Sequence, residues 1–263
     1  MAQFSGSFYS KSLTRKVPFT AIIPTQTELE LIHEENKPEF SQPKRTLYLL
    51  HGWDGSNEDW VFNSRIYELA REYNVAVILP SGENSFYLDH PNGNAYGQFI
   101  GEELVEVTRE LFFLSSKRED TWIAGLSMGG YGALRNGFKY SNTFSKVAAF
   151  SSRILSKKEA PHREELEENF INEHIKAIIR SDTLADLSEE NDVYDLVTKR
   201  TEEQKVFIAC GFEDYLYEEN RAFHEFLLKN KILHEYFESS GGHTWDFWNE
   251  YISKAVKWMT ENH

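Results

Sequence analysis

The stretch Thr121-Trp122-Ile123-Ala124-Gly125-Leu126-Ser127-Met128-Gly129-Gly130-Tyr131-Gly132-Ala133-Leu134 decides how the rest of this chain is read. It begins with a short apolar run that reads as a strand, and Tyr131 to Leu134 open a helix. Between them stands Gly-x-Ser-x-Gly, centred on Ser127. A serine at the tip of so tight a strand-to-helix turn sits in a strained backbone conformation with its hydroxyl thrust forward. The neighbouring turns then have no room for side chains, and glycine two positions before and after meets that demand. This is the arrangement of a nucleophile elbow. The alternative is a glycine-rich turn that happens to hold a serine, and the serine's partners must decide between the two.

Outward from the elbow, apolar runs alternate with helical patterns. Upstream, Thr46 to Leu50 and Val75 to Leu79 read as buried strands, with a helix from Ser64 to Tyr73 between them. Phe8 to Ser10 and Lys16 to Ile23 read as two antiparallel strands at an edge. A longer helix fits Ile100 to Leu114, with Leu104, Val107, Leu111 and Leu114 on one stripe. Downstream, strands fit Lys146 to Phe150, Lys205 to Ala209 and Leu233 to Phe237, and helices fit Glu218 to Lys229 and Thr244 to Glu261. The pattern predicts an α/β fold: a mostly parallel central sheet of about eight strands with helices on both faces.

The segment from Arg153 to Glu203 breaks this alternation. It holds two helical patterns, Arg163 to Arg180 and Val193 to Arg200, and no convincing strand. Lys157 to Glu203 carries 7 basic and 14 acidic residues, half of the chain's net charge of −14. Residues 153–203 therefore read either as a small helical cap inserted in a single domain spanning 1–263, or as a pair of solvated surface helices.

With 263 residues, 40% of them hydrophobic, the chain can bury a large core. The balance of 28 Lys and Arg against 42 Asp and Glu argues against nucleic acid or an anionic membrane as partner, because phosphates would be repelled. No apolar run approaches the roughly 20 residues that a membrane span needs. The start, Met1 to Phe8, lacks a basic region followed by an apolar stretch, so no secretory signal is expected. The one cysteine, Cys210, excludes an internal disulfide and suits a reducing compartment such as the cytoplasm. No cluster has metal-ligand spacing and no phosphate-binding glycine loop is present, so no metal or cofactor is expected.

A serine hydroxyl is a poor nucleophile at neutral pH and needs a histidine to take its proton and an acid to orient that histidine. After an elbow serine the chain order is acid, then histidine. His162 and His174 lie in the polar segment; His224 is mid-helix and His234 starts a strand, so both read as structural. His243 stands in the glycine loop Ser239-Ser240-Gly241-Gly242-His243-Thr244-Trp245, after the last strand, where a base belongs. For the acid, Asp214 is favoured, with its neighbour Glu213 as competitor. Two N–H donors must hold the developing alkoxide. Met128 is one, and Trp53 in His51-Gly52-Trp53-Asp54-Gly55 is the other. His51 reads as a buried hydrogen-bonding residue. Tyr87, in Ser85-Phe86-Tyr87, and Trp245 are candidates for shaping a substrate pocket, although core packing is the commoner explanation for any single aromatic. Glu102 and Glu103, though paired, read more simply as partners of a helix dipole.

Leu49-Leu50-His51-Gly52 with Gly55-Ser56-Asn57 and Trp60, the Gly125 to Leu134 run, Cys210 to Asp214, and Gly242-His243-Thr244-Trp245 with Trp248 together resemble the esterase D-like family, nearest its bacterial tributyrin-esterase (acetyl esterase) branch. The likeness runs from Tyr9-Ser10-Lys11-Ser12-Leu13 to the terminal helix and is thinnest over Arg153 to Glu203. It implies an α/β-hydrolase fold and a cofactor-independent serine esterase acting on short acyl esters, acetyl to butyryl, with acetylated sugars among them, often as a homo-oligomer. A thioesterase of the S-formylglutathione hydrolase type or an acyltransferase would use the same residues. The former usually carries histidine just before the serine, where Leu126 stands here. A non-catalytic binding protein would be expected to lack one of the three residues, and all three are present.

Overall fold

A computed structural model describes residues 1–25, 42–157 and 169–261. Eight strands form one sheet: β1 (Ala2–Ser10), β2 (Arg15–Ile23), β3 (Arg45–Leu50), β4 (Val75–Pro80), β5 (Thr121–Leu126), β6 (Lys146–Phe150), β7 (Lys205–Gly211) and β8 (Glu235–Ser239). Their order is β1-β2-β4-β3-β5-β6-β7-β8. β1, β2 and β4 pair antiparallel, and from β4 to β8 every pairing is parallel.

The central parallel strands β3 to β7 are buried along nearly their whole length because helices cover both faces. Successive side chains alternate between two cores. Tyr48, Leu50, Ile78, Ile123, Val147 and Ile208 face one of them, together with Tyr131, Leu134 and Phe138 of the elbow helix. Leu47, Leu49, Val77, Trp122, Ala124 and Phe207 face the other, together with the helices α2 (Ile66–Glu72) and α8 (Trp245–Thr260). Among the described residues the other α-helices of five residues or more are α1 (Asp59–Asn63), α3 (Leu104–Leu111), α4 (Met128–Lys139), α5 (Phe170–Ile179), α6 (Val193–Lys199) and α7 (Tyr217–Lys229).

Three expectations need correction. The helix read from Ile100 to Leu114 begins with a π-helical turn, Phe99–Glu103, and ends at Leu111. The wider turn shifts the phase of the α-helical residues beyond it. Leu104, Val105 and Thr108 are buried, whereas Leu111 is exposed and Leu114 sits in a bridge to Lys44 instead. The last strand starts two residues later than read, leaving Leu233 exposed, because its register against β7 runs from Phe207↔Glu235 to Gly211↔Ser239. Glu103 does more than face a helix dipole. It accepts from Ser10 Oγ (2.6 Å), Lys11 N (2.6 Å) and Ser12 N (3.1 Å), tying the β1–β2 hairpin to the body.

Within the segment 153–203, the first predicted helix is seen as α5; its beginning at Arg163, and His162, lie outside the described residues. α5 and α6 bury Ile175, Ile178, Val193 and Val197 in the core, so they are not simply solvated.

Candidate active site

The elbow has the backbone that its sequence demands. Ser127 stands between β5 and α4 at φ 54° and ψ −117°, a region costly for any residue with a side chain. It is held there by hydrogen bonds on both sides: Ser127 N donates to Phe150 O (2.9 Å), and Ser127 O accepts from Tyr131 N (3.1 Å) and Arg153 N (3.2 Å). A Cβ on Gly125 would lie 2.2 Å from the Gly129 carbonyl oxygen, so the turn could not close around any larger residue.

Two loops, after β7 and after β8, bring the serine's partners to this edge. Ser127 Oγ is 2.9 Å from His243 Nε2, and His243 Nδ1 is 2.9 and 3.1 Å from the two Asp214 carboxylate oxygens. The Asp214 side chain is fully buried. Burial pushes its carboxyl up, but hydrogen bonds from His243, Ser151 and the Leu216 N–H outweigh that, and the net displacement is downward. Asp214 therefore stays ionised and can accept from His243 Nδ1–H. The imidazole itself is clamped between the rings of Tyr215 (4.6 Å) and Trp248 (4.9 Å, nearly perpendicular). The Trp248 indole N–H donates to Ser151 Oγ (3.0 Å), which extends the polar chain one residue further.

Glu213 points elsewhere. It accepts from Gly241 N (2.6 Å) and Ser240 Oγ (3.2 Å) and so shapes the loop that presents His243. His224 and His234 pair with each other at 2.7 Å. Burial pushes the Cys210 thiol up, which keeps it protonated and out of competition as a nucleophile.

The loop after β3 passes directly over the serine. A Cβ on Gly52 would lie 2.6 Å from Leu126 Cδ1 and 3.5 Å from Ser127 Cβ, so any larger residue here would have to displace the Leu126 side chain. Trp53 comes next in the chain, and Met128 begins α4, where an N–H has no acceptor within the helix. Both residues line a hollow of about 150 Å³ that contains Ser127. His51 is the buried strut of this loop. Its Nδ1 donates to Gly52 O (2.7 Å) and its Nε2 accepts from Gly82 N (2.9 Å), a pattern that requires the neutral ring. Burial keeps its basicity low, in agreement.

Two pocket candidates are placed elsewhere. Tyr87 is fully buried beneath the loop, and its hydroxyl donates to His51 O (2.9 Å). Phe86 and Tyr87 both have positive φ (51° and 56°), and this double turn brings Phe86 to the hollow instead. Trp245 packs edge-on against Trp60 and Trp248, each at 5.2 Å, and is not part of the wall around Ser127. The wall includes residues that the motifs do not single out: Arg153, Ile171, Asn172 and Tyr215. Arg153 was open to discovery, since a charged residue just past the carboxyl end of β6 belongs to the rim where such folds carry their sites. Ile171 and Asn172 sit on α5, beside Phe170 and His174, whose rings pack against Trp53. This part of the 153–203 segment thus forms one side of the wall.

A larger cavity, about 770 Å³, opens near the amino ends of the strands. Two of its cations serve the frame. Arg45 donates to Thr260 O and Tyr73 O, and Lys146 to Met259 O and Glu261 O. Among the described residues, no three or more His, Cys, Asp or Glu side chains cluster so as to hold a metal ion, and no helix is long and apolar enough to cross a membrane.

Comparison with known proteins agrees with this architecture. An acetyl esterase from Caldicellulosiruptor saccharolyticus is 41% identical over 99% of both chains. Fluorophosphonate-binding serine hydrolase F of Staphylococcus aureus superposes with a TM-score of 0.83 at 27% identity, over 99% of each chain. S-formylglutathione hydrolase of the same organism gives 0.81 at 28%, also over 99% of each. The fold is that of the α/β-hydrolases, and the chain is a carboxylic ester hydrolase. Residues 34–259 match the family described as "Putative esterase", to which this chain belongs.

Proposed function

We propose that this esterase cleaves short acyl esters, acetyl to butyryl, by two-step acyl transfer through Ser127, His243 and Asp214. The observation that carries the reading is the unbroken hydrogen-bond chain Ser127 Oγ···His243 Nε2 and His243 Nδ1···Asp214, both at 2.9 Å. His243 accepts the Ser127 proton as the oxygen attacks the ester carbonyl, and Asp214 stabilises the resulting imidazolium. The N–H groups of Trp53 and Met128 hold the oxyanion, each contributing about 3 kcal/mol. His243 then protonates the departing alcohol, and water repeats the steps to release the acid.

The small volume of the hollow, about 150 Å³, and its apolar walls Phe86, Met128 and Ile171 support a short acyl chain. The acetyl esterase relative supports acetyl in particular, and acetylated sugars are the natural substrates to try first. Ser127→Ala should reduce p-nitrophenyl acetate hydrolysis to background with an unchanged circular dichroism spectrum. Turnover retained by that variant would refute the assignment.

A thioesterase reading draws support from the likeness to S-formylglutathione hydrolase, while Leu126 before the serine counts against it. Faster turnover of S-formylglutathione than of any acetyl ester would favour it.

A further inference from the structure

Arg153 is the one charged residue in the described wall of the hollow, and the acyl-transfer steps leave its chemistry unused. It lies three positions beyond the end of β6, and its backbone N–H holds the Ser127 carbonyl at 3.2 Å, so its place relative to the nucleophile is fixed. The side chain is only 10% exposed and lines the hollow with Ser127 and Tyr215. One guanidinium nitrogen, Nη1, pairs with the Glu219 carboxylate, whose other oxygen accepts from Ile154 N at 2.9 Å. The other, Nη2, is buried and has no hydrogen-bond partner among the described residues.

Buried donors are almost always satisfied, and a charged one left unmet is costly. An arginine fork frequently binds two acceptors. Here the anchoring uses one nitrogen, and the residue lines the substrate hollow. The Glu219 carboxylate already balances the cation, so a second carboxylate brought by a substrate would meet it at short range. An uncharged oxygen would not.

We propose that Arg153 Nη2 recognises an uncharged oxygen acceptor on the substrate (hydroxyl, ether or carbonyl), so that the site prefers esters bearing such an oxygen near the scissile bond over their all-carbon equivalents. This rests on the esterase reading of the same site. The oxygen could reside in the acyl or the alcohol portion, and isosteric pairs separate the two.

For the acyl side, p-nitrophenyl methoxyacetate is compared with p-nitrophenyl butyrate. For the alcohol side, 2-methoxyethyl acetate is compared with butyl acetate. Each kcat/KM is divided by the ester's alkaline hydrolysis rate to remove intrinsic reactivity. The native enzyme should favour the oxygen member of one pair by about tenfold or more, the scale of a hydrogen bond from a charged donor. Arg153→Lys keeps the cation for Glu219 but has a single nitrogen in place of the planar fork, and its ratio should fall toward one whatever its absolute rate. Native ratios of one in both pairs, or an unaltered ratio in Arg153→Lys, would overturn the inference while leaving the esterase assignment intact. A stronger preference for a p-nitrophenyl hemisuccinate would overturn it too, by showing that a charged acceptor is wanted. Absence of turnover on every ester would count against the esterase reading itself.

Discussion

Glu213 and Asp214 are adjacent in the turn after β7, yet their carboxylates leave it in different directions and meet different partners. Asp214 reaches His243 at 2.9 Å, while Glu213 binds the backbone of Gly241 at 2.6 Å. Asp214→Asn should lower kcat by about 10³–10⁴-fold, since an amide favours the wrong imidazole tautomer. Glu213→Gln keeps an acceptor for Gly241 N and should cost less than about tenfold, below the effect of losing a supporting contact. Steady-state kinetics on both variants decide the matter, and the reverse order of losses would exchange their roles. The sequence named the pair but could choose between them only by preference, because the choice depends on how the turn rotates each side chain toward a loop 29 residues away. Tyr87 shows the same limit. Nothing in Ser85-Phe86-Tyr87 announces two consecutive positive φ values, and those dihedrals send Tyr87 into the core and Phe86 to the hollow.

The helix behind the elbow carries a residue that composition alone would put on the surface. Arg135 is fully buried on α4, donating to Glu190 O (3.0 Å), Asn136 Oδ1 (2.8 Å) and Asn191 Oδ1 (2.9 Å), with Asp89 at 3.6 Å. It joins the helix that presents Ser127 to the turn before α6 and to the loop after Tyr87. Removing one partner of such a network strands the others. Arg135→Met should therefore destabilise the protein by about 3 kcal/mol, read as a lower urea midpoint at unchanged slope. A midpoint unmoved or raised would mean that the apolar replacement packs as well as the network did. α3 illustrates a different limit of element reading. A strict period of 3.6 misplaces its hydrophobic stripe, because the π-turn at Phe99–Glu103 inserts an extra residue and rotates the buried face to Leu104, Val105 and Thr108.

Across the whole molecule, three carboxylates, Asp89 and Glu103 partly buried and Asp214 fully so, tie segments of the fold together at neutral pH. Burial pushes each of them up, but their partners win: the Gln98 N–H with Arg135 and Lys139 for Asp89, Ser10 with the Lys11 and Ser12 N–H groups for Glu103, and His243 with Ser151 for Asp214. Each binds its proton less tightly folded than unfolded. Their contribution is thus fully present above the ordinary values of 3.8 and 4.5 and disappears as pH falls through the lowered ones. Thermal melts should show Tm falling by about 4 °C or more between about pH 6 and about pH 3, with Glu103→Gln flattening the slope. A Tm independent of pH over that range would contradict the role given to these groups. Local chemistry had already determined the layered α/β architecture and the strand–turn–helix of the elbow, and it named His243 as the expected partner of Ser127. Glycine spacing reports sterics within one turn, and apolar runs report burial on both faces of a sheet. The packing of distant segments settled the rest: which carboxylate orients His243, which aromatics wall the hollow, and that Arg153 stands beside the nucleophile with a donor to spare. Those outcomes depend on loop dihedrals and on where six separate strand ends, β3 to β8, converge, which no short stretch of residues encodes.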